Sequence, residues 1–327
     1  MPRFTFPKNA SFHTARTFFA GHTPFVLDGG PAILSFPPTF PYIEPVALSM
    51  AAAWGTWCKK NGLAINVENM GRNASYASRM HLFKHLGIND APDVREREEA
   101  GRFLPITQIK DRTDITAVIG DISALLHLND EPDALAAVQY CVSELLRNVI
   151  EHAGTEDGAF VCAHRYANNN LHRVTLAVAD CGRGVASHLG QKYNEALDND
   201  RIALGLAMTP GITGAQVGLY GTTENAGAGL FITRSIAKGT GGYFLMSTGN
   251  AVYRLRRSND PDKQLSLFAD PYTEQRHDGW EFDSSWQGTI ASVEIRMNKI
   301  EDFQEFFSWI RKHMPQRKGV GFGIKFT

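Results

Sequence analysis

The stretch "ELLRNVIEHAG", residues 144–154, lies in a helical pattern that opens near Pro132 and has two unlike faces. At about 100° per residue, Val138, Val142, Leu145, Val149 and Ala153 gather on one side, which must be buried against another layer. Glu144, Asn148, Glu151 and His152 fall within roughly 100° of one another on the other side. A helix with only structural duties favours Lys, Arg and Gln there. Here the face offers carboxylate and amide oxygens and an imidazole. It is either a solvated acidic face or a ligand-binding one, and both need a sheet beneath the apolar side.

Strands for that sheet are available. "AFVCAHRYA", "HRVTLAVAD", "GYFLMST", "AVYRLRR" and "TIASVEIRM" are rich in β-branched and aromatic residues. Helical patterns run through "DRTDITAVIGDISALLHL", from about Asp114, and "LFITRSIAKGTGG". Helices over one face of a mainly antiparallel sheet predict an α+β fold, a two-layer α/β sandwich. The first third reads differently. A strand "PAILSF" is followed by the breaker-rich "PPTFPYIEP" and a long helix through "VALSMAAAWGTWCKKNG", stopped by Gly62. A short strand "LAINVEN" and a helix "NASYASRMHLFKHLG" ending in Gly87 complete it. That order predicts a small α/β unit over residues 1–105, joined through polar residues 88–102 to a second unit over 106–327. A chain of 327 residues is long enough for both.

Composition enters mainly to exclude. A net charge of −1 gives no global case for nucleic acid or an anionic membrane as partner. No apolar run approaches the roughly 18 residues that span a bilayer, and the N-terminus lacks a signal-peptide core, so a soluble cytoplasmic protein is expected. Cys58, Cys141, Cys162 and Cys181 are scattered without a Cys-x-x-Cys pair, which reads as buried free thiols in a reducing compartment.

Three further signals follow the helix in order. "VADCGRG" ends a strand in Asp180, then Gly182 and Gly184. A carboxylate there can accept a hydrogen bond from an exocyclic amine, although an ordinary turn looks the same. In "TTENAGAGLFI", Gly227 and Gly229 directly precede a helix from about Leu230, where backbone N–H groups and the helix dipole favour an anion. The loop has neither the Lys-Ser/Thr of a P-loop nor Rossmann spacing. "WQGTIASVEIRM" places Gly288 and Thr289 at the opening of the last strand, where a buried Thr hydroxyl beside Asp180 would make a second base-edge contact.

The ordered set resembles the GHKL ATPase superfamily: gyrase-type topoisomerases, heat-shock chaperones of that class, histidine kinases and mismatch-repair ATPases. "ELLRNVIEHA" resembles its N box, "DCGRG" its G1 box, "NAGAGLFI" its G2 box, and "GT" before the last strand the threonine that helps read adenine. The resemblance covers about residues 113–297 and implies a Bergerat-type ATP-binding fold with ATP and Mg²⁺ as cofactors. It gives Asn148 to Mg²⁺, a hard ion that takes oxygen ligands and keeps waters. It makes Glu144 the general base on an attacking water, and Asp180, supported by Thr289, the acceptor of the adenine amine. Gly182 and Gly184 would shape the adenine end, while Gly227, Ala228, Gly229 and Leu230 would face the phosphates. Residues 185–226 would form a mobile lid.

Departures from the family pattern keep the branch open. The G2 box has one Gly-Ala-Gly in place of a longer glycine series. His152 resembles the anti-sigma-factor serine kinases, whereas Glu151 resembles the gyrase-like branch. No separate phospho-acceptor histidine helix is visible, which argues against a histidine kinase. The first unit resembles a STAS domain, the kind of protein on which anti-sigma kinases act, with Ser49 as an acceptor candidate outside the usual context. Three functions are therefore expected in competition. One is an ATP-hydrolysing switch, with a protein partner and nucleotide-dependent dimerisation. The second is a protein serine/threonine kinase acting on a STAS-like or other signalling partner. The third is a nucleotide-binding module without turnover. Residues 258–286 read as a polar loop insertion, and Phe303, Phe306, Phe307 and Ile310 as the core-facing side of a last helix.

Overall fold

Short apolar runs at the start of the chain form β1 (Arg3–Thr5), β2 (Asn9–Ala10), β3 (Ala32–Ser35) and β4 (Tyr42–Ile43). The structure, a computed structural model, describes residues 1–16, 24–39, 41–89, 92, 102–125, 131–168, 171–212, 227–258, 266–299 and 302–314. Helix α1 (Pro45–Lys60) then crosses over to β5 (Ile65–Glu68), as parallel neighbours require. The result is a parallel sheet in the order β1-β3-β5, with β2 paired to β4 beside it. Pro45 takes the first turn of α1, where its missing N–H is not needed, and Gly62 at φ +68° follows its end as expected. The predicted single helix over residues 73–87 is two pieces, α2 (Ser75–Arg79) and α3 (Leu82–Leu86). His81, left-handed at φ 64°, breaks it.

The second unit is built on a five-stranded antiparallel sheet: β6 (Phe103–Ile109), β7 (Ala159–Asn168), β8 (Leu171–Asp180), β9 (Phe244–Leu255) and β10 (His277–Arg296), in the order β6-β7-β8-β10-β9. Pro105 hid β6 from the sequence reading. It is an edge strand, where proline is tolerated, and it runs across the expected boundary at 105. The two strands expected around residue 249 are one, β9, carried through Gly249 at φ +55°. Residues 277–286 are not loop. They pair with β9 from His277–Leu255 to Trp286–Gly249, while residues 259–265 of the expected insertion lie outside the described ones.

Six helices complete the described residues: α4 (Arg112–Leu125), α5 (Pro132–His152), α6 (Gly184–Leu189), α7 (Asp200–Ala207), α8 (Gly229–Gly239) and α9 (Phe303–His313). On one face of the sheet, Val161, Leu176, Val178 and Val293 meet Val138, Val142 and Leu145 of α5, Phe231 and Ile232 of α8, and Phe303 and Ile310 of α9. The other face is not left to solvent. Phe160, Cys162, Ala177, Ala179 and Ile290 pack with Met50, Trp54 and Cys58 of α1 in one cluster that also holds Phe4 and Phe12. The two-layer sandwich thus has a third layer, for a reason visible in "TLAVA": without alternation, both faces of β8 need cover. Ser49 is enclosed by that packing, its hydroxyl donating to the Ala177 carbonyl at 3.2 Å, which removes it as an exposed phospho-acceptor.

At the far end of β8 from Asp180, about 23 Å along the strand, an ionic network ties the layers. Glu294, fully buried, accepts from Arg257 Nε at 2.6 Å and lies 3.2 Å from Arg173 Nε. Arg257 also reaches Glu44, just before α1, at 3.6 Å. The expected lid is only partly lid-like. Residues 184–212 fold as α6, a 3₁₀ turn at Asn194–Leu197, and α7 around Leu189, Ala196, Ala203, Leu206 and Ile212. Residues 213–226, most of 88–102 and the tail after 314 lie outside the described residues. Among the described residues no helix is long and apolar enough to cross a membrane.

Candidate functional site

Helix α5 supports the site. With its apolar side on the sheet, it carries Glu144, Asn148 and Glu151 away from that side, and the ten residues from Glu144 to Ala153 span about 13 Å. At its upper end Glu144 lies against the start of α8. A Cβ placed on Gly229 would stand 2.1 Å from Glu144 Oε2, so only glycine lets acid and helix terminus approach this closely. Burial raises the Glu144 pKa, Arg147 at 3.5 Å opposes the rise, and Glu151 adds to it. Asn148 Nδ2 is buried without a hydrogen-bond partner among the described residues. Glu151 pairs with Arg112 of α4 at 3.0 Å. His152 turns elsewhere: its ring stacks on His188 of α6 at 4.3 Å, and its carbonyl accepts from Arg183 Nε at 2.8 Å.

At the lower end, the Ala153 carbonyl accepts the Arg183 N–H at 2.8 Å, and a Cβ on Gly182 would strike it at 2.3 Å. The helix end and the turn after β8 are therefore locked together. Asp180 sits in that turn at 1% exposure. Its Oδ1 accepts the Gly182 N–H at 2.7 Å, and the backbone N–H of Thr289 also donates to the carboxylate. Its Oδ2 is buried and has no partner among the described residues. Burial pushes this carboxyl from 3.8 up to about 7, against the two backbone donors. A buried acid with one oxygen held and the other unpaired suits a ligand that donates one hydrogen bond.

The threonine differs from expectation. Thr289 reaches Asp180 through its backbone N–H, and its side chain is half-exposed. The buried hydroxyl belongs to Thr248 of β9, which donates to the Gly288 carbonyl at 2.9 Å and accepts the Val185 N–H at 3.1 Å. A Cβ on Gly184 would lie 2.9 Å from that hydroxyl, so Gly184 serves the close packing of turn on strand. Gly288, at φ +95°, presses on Asp180, where a Cβ would stand 2.6 Å from Oδ1. Trp286 caps the turn from outside, its Nε1 donating to the Asp180 carbonyl at 3.0 Å.

Gly227 packs on Ile212, and its carbonyl accepts the Gly211 N–H at 3.1 Å, which brings the two edges of residues 213–226 together. Ala228 is buried just before α8, and Leu230 packs half-buried on the core. Thr248, Trp286, Arg183 and His188 were not singled out from sequence. The only hint was that Thr248 closes the apolar run "FLMST" and Trp286 precedes "QGT".

Comparison of the chain with known proteins bears on this arrangement. No curated protein and no solved structure matches it. Residues 112–252, from the start of α4 to within β9, match the family model described as the histidine kinase-like ATPase domain, which supports a GHKL-type ATPase domain over that stretch.

Proposed function

We propose that the second unit binds Mg-ATP and hydrolyses it slowly, as a nucleotide-controlled regulatory switch. The single observation that carries this is Asp180, a buried acid whose Oδ2 is unpaired while Oδ1 is held by the Gly182 N–H. The exocyclic amine of adenine fits that oxygen, and binding it would draw the carboxyl toward its ionised form. Asn148 would hold a hydrated Mg²⁺ through its amide oxygen, neutralising phosphate charge, while its buried, unpaired Nδ2 is a donor suited to a phosphate oxygen. The N–H groups at the start of α8 would receive phosphate oxygens. Glu144, beside them, takes a proton from the attacking water, and its raised pKa makes it a stronger base than an ordinary carboxylate. The first unit, α1 and its parallel sheet, is proposed as a STAS-like element through which protein partners read the nucleotide state, with dimerisation as one form of response.

The test is thermal unfolding with and without Mg-ATP, run beside phosphate release. Wild type should gain about 2.7 kcal/mol at 100-fold excess over Kd. Asn148→Ala should lose most of that gain, and Glu144→Ala should keep it while phosphate release stops. Wild-type turnover in Glu144→Ala would refute the assignment, and label transferred to protein rather than to solution would move the reading to the serine/threonine kinase. Buried Ser49 is not available as that acceptor in this structure.

A further inference from the structure

Asp180 owes its position to both faces of the sheet. At its carboxylate it is held by the N–H groups of Gly182 and Thr289. From behind, Trp286 Nε1 binds its carbonyl at 3.0 Å, from a point where the pairing of β10 with β9 slips twice. Trp286 is 5% exposed and meets Phe25 edge-to-face, with centroids 5.0 Å apart and planes at 74°. Phe25 in turn meets Trp57 of α1 edge-to-face at 5.0 Å and 85°. The neighbouring Pro24 carbonyl accepts from Trp54 Nε1, also of α1, at 2.7 Å. An unbroken run of contacts therefore joins the first unit to the backbone of the acid proposed to read the base.

We infer that the first unit sets the affinity and base selectivity of the nucleotide site through Trp57, Phe25 and Trp286, with Trp286 the positioning residue for Asp180. This rests on the nucleotide reading of the site. The physical reason is that a buried acid selects an amine donor only while its unpaired oxygen is held in place, and a shift of a few tenths of an ångström in its backbone weakens that hydrogen bond first. Phe25 and Trp57 bond to nothing in the turn itself. They press Trp286 into place, and edge-to-face pairs contribute directional preference as well as buried area. By reciprocity, nucleotide held at Asp180 must favour the docked first unit by the same factor, which gives partners of that unit a means of sensing the site.

The experiment is calorimetric titration of the full chain with Mg-ATP and with Mg-GTP, whose base offers a carbonyl where adenine offers the amine. Phe25→Ala, remote from the cleft, and Trp286→Phe, which keeps the ring but loses the N–H, should each weaken Mg-ATP binding roughly 2- to 30-fold. Mg-GTP binding should change much less, so preference for ATP falls. Phe25→Tyr should restore wild-type affinity, and Asn148→Ala should weaken both nucleotides alike. If wild type prefers ATP and both variants match it, or lose ATP and GTP equally, the inference is overturned while the site reading stands. A wild type that binds neither nucleotide overturns both. Should Phe25→Ala not fold, Trp286→Phe decides alone.

Discussion

Replacing Asp180 by asparagine should stabilise the nucleotide-free protein above neutral pH and abolish its nucleotide response. In the folded state the carboxyl titrates at about 7, in the unfolded chain near 3.8. Between those values the folded state holds the extra proton, so the contribution of Asp180 is fully present below pH 3.8 and is lost as pH rises through 7. At 1.36 kcal/mol per pH unit the full loss is about 4 kcal/mol. Asparagine has nearly the shape of the protonated acid, still accepts the Gly182 N–H, and leaves a donor at the same unpaired position. Those costs cancel between the two proteins at acid pH. Urea unfolding from pH 4.5 to 8.5 should therefore show near-equal stabilities at the acid end. A gap in favour of the variant should widen steadily from there toward pH 7 and level off at roughly 2–4 kcal/mol above it. Mg-ATP should no longer raise the melting temperature of Asp180→Asn, because an amide N–H₂ would face the adenine amine. A variant less stable than wild type by the same amount at every pH would make Asp180 a purely structural acid and refute the reasoning.

Gly229→Ala should separate stability from catalysis. Its Cβ would press first on the flexible Glu144 side chain, so denaturant stability should fall by no more than about 1 kcal/mol while phosphate release drops at least tenfold as the carboxylate is displaced. Glu294→Gln should cost about 3–5 kcal/mol by urea unfolding, because Arg173 and Arg257, themselves largely buried, lose the charge they share. Stability should also fall in acid through the stacked histidines. Burial, His152 and Arg183 hold His188 down at about 4, and burial lowers His152. With both lowered from 6.5, their contribution is present above that value and is lost as pH falls toward 4. His188→Gln should remove about 1–2 kcal/mol of that acid-limb loss, after allowing for solvent screening of a half-buried pair. An unchanged acid limb would show that the pair does not titrate as described.

The sequence by itself determined most of the helices and the central strands, though not β6 or residues 277–286, and it determined the polar face of α5, because period 3.6 with apolar residues at 138, 142, 145 and 149 admits one buried side. It also located the turn at Asp180 and the glycines before α8, since both are short-range patterns. It could not decide which hydroxyl is buried near the acid. That depends on register between β9 and β10, which slips around Trp286 and gives the place to Thr248. Nor could it show that Trp286, 106 residues from Asp180, holds that residue's carbonyl. The covering of the sheet's second face left one trace in "TLAVA", but which helix covers it was settled only by packing. Local periodicity fixes what a segment becomes, whereas contacts across a hundred residues are chosen by shape and register. Here those long contacts are the ones that aim the acid.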